Sequence, residues 1–202
     1  MGVFSDDDAQ TSFDCAKKLL DKRNNKEAFK YFNKVLSSKT KTDELHFQSL
    51  WGKCVSGLAI NKFDEVKECA NEILDDNPEE INVLNLLTQT HILCEEYDEA
   101  LQCGTTVLKI ESENMDALTL RCDTLLKIGN YDNSIRFIDR MLGIDGENIH
   151  ALSFKVSALW SLRRFDEAIL YCDIILKIDK NNSEAKENRE KLVEYLKEHR
   201  NN

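Results

Sequence analysis

Apolar residues recur along most of this chain at helical spacing, as in Leu84, Leu87 and His91, in Leu118, Cys122 and Leu125, or in Leu152, Val156 and Leu159. Between these runs stand two kinds of interruption. Short pairs, Asn61-Lys62, Glu95-Glu96, Gly129-Asn130 and Arg163-Arg164, leave room only for a tight antiparallel helical hairpin. Longer polar or breaker segments, at residues 75–78, 111–114, 145–148 and 179–182, should stop a helix outright. Asn114, Asn148 and Asn182 each stand just before the next apolar run, where a short side-chain acceptor satisfies free helical N–H groups, so all three are predicted N-caps.

The interruptions keep a fixed period. A phrase of an aromatic, an aspartate, a polar residue and a small residue reads Tyr97-Asp98-Glu99-Ala100, Tyr131-Asp132-Asn133-Ser134 and Phe165-Asp166-Glu167-Ala168, each 34 residues after the last. Phe63-Asp64-Glu65-Val66 holds the same place another 34 upstream, and Lys26-Glu27-Ala28 a further 38, with the extra four residues expected in the polar stretch 37–44. Ten residues after each aromatic comes an aliphatic pair: Ile73-Leu74, Val107-Leu108, Met141-Leu142 and Ile175-Leu176, with Val35-Leu36 in the first unit. Each unit is therefore two antiparallel helices. A single pair cannot bury both of its faces, so neighbours must stack and share a continuous core.

Composition supports this all-α reading. The 202 residues include one proline, Pro78, and seven glycines, where average usage would supply about ten and fourteen. The scarcity of turn formers argues against sandwiches, barrels and alternating α/β folds. An apolar content of 42% is enough for a core despite 32% charged residues. The net charge of −10 argues against a nucleic-acid partner, whose backbone rewards clustered Lys and Arg. The longest uncharged run, residues 81–94, is too short and too polar to cross a bilayer, so no membrane insertion is expected. Seven cysteines, odd in number and never spaced C-x-x-C, point away from a disulfide framework and towards a cytoplasmic location. The four scattered histidines form no zinc-ligand pattern with them, so neither metal nor cofactor is expected.

On these residues the chain resembles the tetratricopeptide repeat family. The resemblance covers residues 9–182 as one array, with repeats at about 9–46, 47–80, 81–114, 115–148 and 149–182. It implies a right-handed superhelical solenoid of antiparallel helix pairs. Small residues expected in the first helix appear as Ala16, Cys54 and Cys122 but are replaced by Thr88 and Val156, and only Pro78 survives of the closing prolines. Residues 1–8 are expected to be a flexible N-terminus, and 183–202, with Ala185, Leu192, Val193 and Leu196, an amphipathic capping helix.

The sequence contains no phosphate-binding glycine loop, nucleophile elbow or H-E-x-x-H motif, and the recurring Asp-Glu pairs suit the starts of second helices electrostatically. Surface recognition is the expected activity, not catalysis. The resemblance implies a concave groove lined by the first helices: Phe13 and Lys17; Trp51, Val55 and Leu58; Asn85, Gln89 and Ile92; Thr119, Asp123 and Leu126; and His150, Ser153, Ser157 and Trp160. A helical or extended segment of a partner protein would lie there, anchored on the tryptophans. Family members that clamp acidic chaperone tails use Lys, Asn and Arg on this face; the matching places here hold Trp51, Val55, Leu86, Asp116 and Leu120, or Phe13, Lys17, Gly52, Asn82 and Leu86, so chaperone-tail binding is not expected. The alternative is self-association into a homo-oligomer through the groove or the C-terminal helix, whose Leu192, Val193, Tyr195 and Leu196 lie close together.

Overall fold

The computed structural model describes residues 9–199, so the expectation for residues 1–8, and the last three residues of the predicted cap, lie outside the described residues. The described residues form eleven α-helices and no strand. They divide into two compact units, Met1–Thr106 and Val107–Asn202. The first holds α1 (Ala9–Asp21), α2 (Asn25–Ser37), α3 (Asp43–Ala59), α4 (Phe63–Asp76) and α5 (Ile81–Leu93). The boundary falls within α6 (Tyr97–Ile110). The second unit continues with α7 (Met115–Lys127), α8 (Tyr131–Ile144), α9 (Ile149–Ser161), α10 (Phe165–Ile178) and α11 (Ser183–His199).

The four short pairs identified in the sequence are the hairpin turns, and Arg23-Asn24 is a fifth. Arg23, Asn61, Glu95, Gly129 and Arg163 all take positive φ, between 57° and 74°. In each turn this residue's N–H bonds the carbonyl three back, and the next N–H bonds the carbonyl five back, as in Glu95 to Ile92 at 3.1 Å and Glu96 to His91 at 2.9 Å. This is a Schellman closure, which satisfies two of the carbonyls a helix end leaves free. Only Gly129 adopts the left-handed geometry without a Cβ penalty.

At the opposite ends, Asn114, Asn148 and Asn182 accept the N–H groups of Ala117, Ala151 and Ala185 at 2.9 Å, as expected of N-caps. Thr42 does the same for Leu45 at 3.2 Å, which corrects one expectation. The four extra residues of the first period are not all loop. They mostly lengthen α3, which begins at Asp43, because Thr42 caps it, Asp43 and Glu44 face its positive end and Leu45 is buried.

Packing follows the register. In the first unit Phe32 of α2 is buried with Phe13, Ala16 and Val35, and it presses against Gly52 so closely that a Cβ there would lie 2.3 Å from the ring. Leu50, Cys54, Val66, Ala70, Ile73 and Leu87 continue that unit's core. In the second unit Leu118, Cys122, Ile138 and Met141 form one cluster, and Leu152, Leu159, Cys172, Ile175 and Leu192 another. Charged pairs stitch successive helices together. Lys67 of α4 meets Glu96 at 2.8 Å, and Glu96 also holds His91 Nδ1 at 2.6 Å. In the second unit Lys155 of α9 pairs with Asp139 of α8, and Arg189 of α11 with Asp173 of α10.

Candidate binding face

Within each unit the first helices of successive repeats touch: α1 with α3 and α3 with α5, then α7 with α9. Their facing second helices bury one side of each, so the remaining side is free to offer a stripe of side chains. In the first unit Lys17 is exposed, with its ammonium 5.6 Å from the centre of the Phe13 ring. Trp51, Val55 and Leu58 form an i, i+4, i+7 stripe, half-buried against the Leu50 and Cys54 core. Asn85 is half-buried, its Oδ1 shielded from solvent without a hydrogen-bond partner, and Gln89 one turn on is exposed.

Two residues depart from the expected lining. Phe13 is 6% exposed, its ring edge-on to Phe32 at 6.0 Å, and Ile92 is also 6% exposed. Both belong to the core rather than to a contact surface. For Phe13 the cause is the large aromatic at position 32, which draws the ring inward.

In the second unit Thr119, Asp123 and Leu126 are half-buried on α7, with Asp123 3.9 Å from Lys127 and Leu126 packed on the Leu118 and Cys122 cluster. On α9, His150 is exposed and its ring lies 4.4 Å from that of Phe154. Ser153 is half-buried, and its carbonyl accepts the Ser157 hydroxyl at 3.1 Å, leaving Ser157 exposed but locally satisfied. Trp160 is 36% exposed and stands edge-on to Phe165 at 6.2 Å and 81°. Phe165 in turn packs on Tyr195 at 4.6 Å, and Tyr195 stacks on His199 at 4.0 Å. An aromatic row thus braces Trp160 from behind, a support that the sequence reading did not include.

The chemistry of this face is polar and nearly neutral, with Lys17 and Asp123 its formal charges. All seven cysteines are free, and Cys54, Cys69, Cys122 and Cys172 are buried as small apolar residues. Among the described residues no group of three or more His, Cys, Asp or Glu could hold a metal ion, and no helix is long and apolar enough to cross a membrane.

No protein-family model and no curated protein matches the chain. Solved structures do. A tetratricopeptide repeat protein from Parabacteroides merdae is similar at 16% identity with a TM-score of 0.82, over 91% of this chain and 72% of its own. MamA, at 16% identity, has a TM-score of 0.74 over 87% of this chain and 94% of its own. YrrB, described as a tetratricopeptide repeat protein with an unusual peptide-binding site, has a TM-score of 0.71 at 15% identity, over 92% of this chain and 94% of its own. At these identities the likeness speaks for the fold, and with the 34-residue register it leads to one conclusion: the chain has the all-α solenoid fold of the tetratricopeptide repeat proteins.

Proposed function

We propose that the chain is a non-enzymatic protein–protein interaction module, an adaptor or scaffold, that holds a helical or extended segment of a partner protein along the faces of its first helices. The observation that carries this reading is Trp160: a large aromatic, 36% exposed, fixed in orientation by Phe165 at one end of a row that includes His150, Ser153 and Ser157. A rigid aromatic presenting both apolar area and an N–H donor is the kind of side chain on which binding energy concentrates. Trp51, Val55, Leu58, Asn85 and Gln89 supply a similar mixed stripe in the first unit, with Lys17 beside it, and Thr119, Asp123 and Leu126 supply one on α7. The structural likeness to YrrB, with its peptide-binding site, agrees with this use of the fold. A cytoplasmic setting suits the seven free thiols.

Self-association through the C-terminal helix loses its motive. Leu192 is fully buried, and Val193, Tyr195 and Leu196 are half-buried on α11, so the cap's apolar residues serve the cap's own packing. The test is affinity capture from the native cell extract with the wild-type chain and with Trp51→Ala/Trp160→Ala. Partners recovered by the wild type and lost with the double variant, at unchanged helicity by circular dichroism, support the reading. Identical recovery from both moves the site off this face.

A further inference from the structure

The outward faces of the second helices can be compared position by position, because they repeat in register. At three matching places α4 carries Glu68, Glu72 and Asp76, α6 carries Gln102, Thr106 and Ile110, and α8 carries Arg136, Arg140 and Ile144. On α10 the same places hold Leu170, Ile174 and Ile178, which are 60%, 36% and 38% exposed. These three lie one turn apart, so they form an apolar ridge where the preceding helices use charges or amides to stay solvated.

What borders the ridge matters as much. Lys155 holds α8 and α10 side by side, its ammonium pairing with Asp139 of α8 and lying 5.1 Å from the centre of the Tyr171 ring on α10. The acids facing this region are already neutralised, Asp139 by Lys155 and Asp173 by Arg189 at 2.6 Å, and Glu167 by Arg164 at 2.6 Å. Arg136, Arg140 and Lys177 remain, in a chain whose net charge is −10. Arg140 is set in place: its Nη2 donates to the Ser112 carbonyl at 2.5 Å, and its guanidinium lies 5.5 Å from the centre of the Phe137 ring. Next to it Gly143 stands where α6 and α10 have Lys109 and Lys177, and a Cβ there would meet nothing within 4 Å. The result is an open recess of about 470 Å³ bounded by Ser112, Glu113, Arg140, Gly143 and Ile144.

The geometry points to the α8–α10 outer face as a second docking surface, distinct from the first-helix face, whose occupant is an amphipathic helix of another protein with an apolar ridge and an acidic flank. The ridge packs on Leu170, Ile174 and Ile178, and its carboxylates meet Arg136 and Arg140. A second copy of this chain fits less well. Antiparallel packing of α10 on its own equivalent brings the two α8 helices, and their arginines, to the same side.

The test uses the full chain and a fluorescein-labelled model helix of about five turns, with leucine at every third or fourth position and glutamate flanking that ridge. The expected result is saturable binding by fluorescence anisotropy, weakened about tenfold or more by Ile174→Glu and by Arg136→Glu/Arg140→Glu. A lysine-flanked version of the helix should bind correspondingly worse to the wild type and recover on the double charge-reversal variant. All three variants are at the surface, and circular dichroism checks their fold. Equal binding of both helices, no binding of the acidic one, or indifference to Ile174→Glu overturns the proposal. So does sedimentation showing that the wild type is a dimer which Ile174→Glu dissolves, since the face then belongs to a second copy. None of these outcomes depends on the tryptophan face.

Discussion

Arg189 Nε of α11 lies 2.6 Å from Asp173 Oδ1 of α10, and one repeat earlier Lys155 of α9 makes the same link to Asp139 of α8. In both cases a basic residue on the helix after a repeat boundary reaches back to an aspartate on the helix before it. The two pairs differ in burial. Lys155 is 8% exposed, whereas Arg189 and Asp173 are both well solvated. Asp173→Asn should therefore cost only about 0.2–1 kcal/mol, as exposed pairs do. Asp139→Asn strands a buried ammonium and should cost more, about 1–3 kcal/mol. Urea denaturation of the two variants measures the order.

The left-handed turn residues give a second prediction. Glu95 and Arg163 pay for a Cβ in a conformation that Gly129 adopts freely. Glu95→Gly and Arg163→Gly should each raise stability by about 0.5–1 kcal/mol, and Gly129→Ala should lower it by about 1 kcal/mol. Thermal denaturation followed by circular dichroism would show both signs.

Glycines inside helices divide in the same way. A Cβ at Gly52 would lie within 2.7 Å of three atoms of the buried Phe32 ring, so Gly52→Ala should destabilise by about 1–3 kcal/mol through overpacking. At Gly104 a Cβ meets nothing within 4 Å, and Gly104→Ala should stabilise α6 by about 1 kcal/mol through helix propensity. Unfolding midpoints of the pair, which should move in opposite directions, decide this.

Stability should fall on both sides of neutral pH for different reasons. Burial pushes the Cys122 thiol up to about 12 and the Cys172 thiol up to about 11, from an ordinary value of 9.0. Above pH 9 the unfolded chain releases protons that the fold retains, so stability declines from there towards pH 11–12, by at most about 1.4 kcal/mol per pH unit per thiol. Cys122→Ala should flatten that decline. On the acid side, hydrogen bonds from Lys67 and then His91 hold the Glu96 carboxyl below the usual 4.5, so its contribution is present above that pH and lost as pH falls through its folded value. Glu96→Gln should remove part of the acid sensitivity. Melting temperatures across the pH range test both arms.

The fold was legible because the 34-residue register places turn pairs and caps where backbone chemistry needs them. Asn61-Lys62, Glu95-Glu96, Gly129-Asn130 and Arg163-Arg164 close the hairpins, and Asn114, Asn148 and Asn182 are caps by side-chain hydrogen bond. The longer α3 escaped because its added turn is polar, and only Thr42 and the buried Leu45 make it helical. The candidate face was legible as a register but not as a surface. Register alone cannot tell that Phe13 turns onto Phe32, or that Phe165 and Tyr195 back Trp160. A signal for the charged links was present, since Lys155 and Arg189 are one period apart and each follows its aspartate by 16 residues.

The most direct test of partner binding on the first-helix face is site-specific photocrosslinking in the native cell extract, with benzoylphenylalanine placed at Gln89 or Ser157 and, for comparison, at Glu68 on the outer face of α4. Adducts of the same partner from positions 89 and 157, and none from position 68, are the predicted result. Adducts from position 68 alone, or none from 89 and 157, would contradict it.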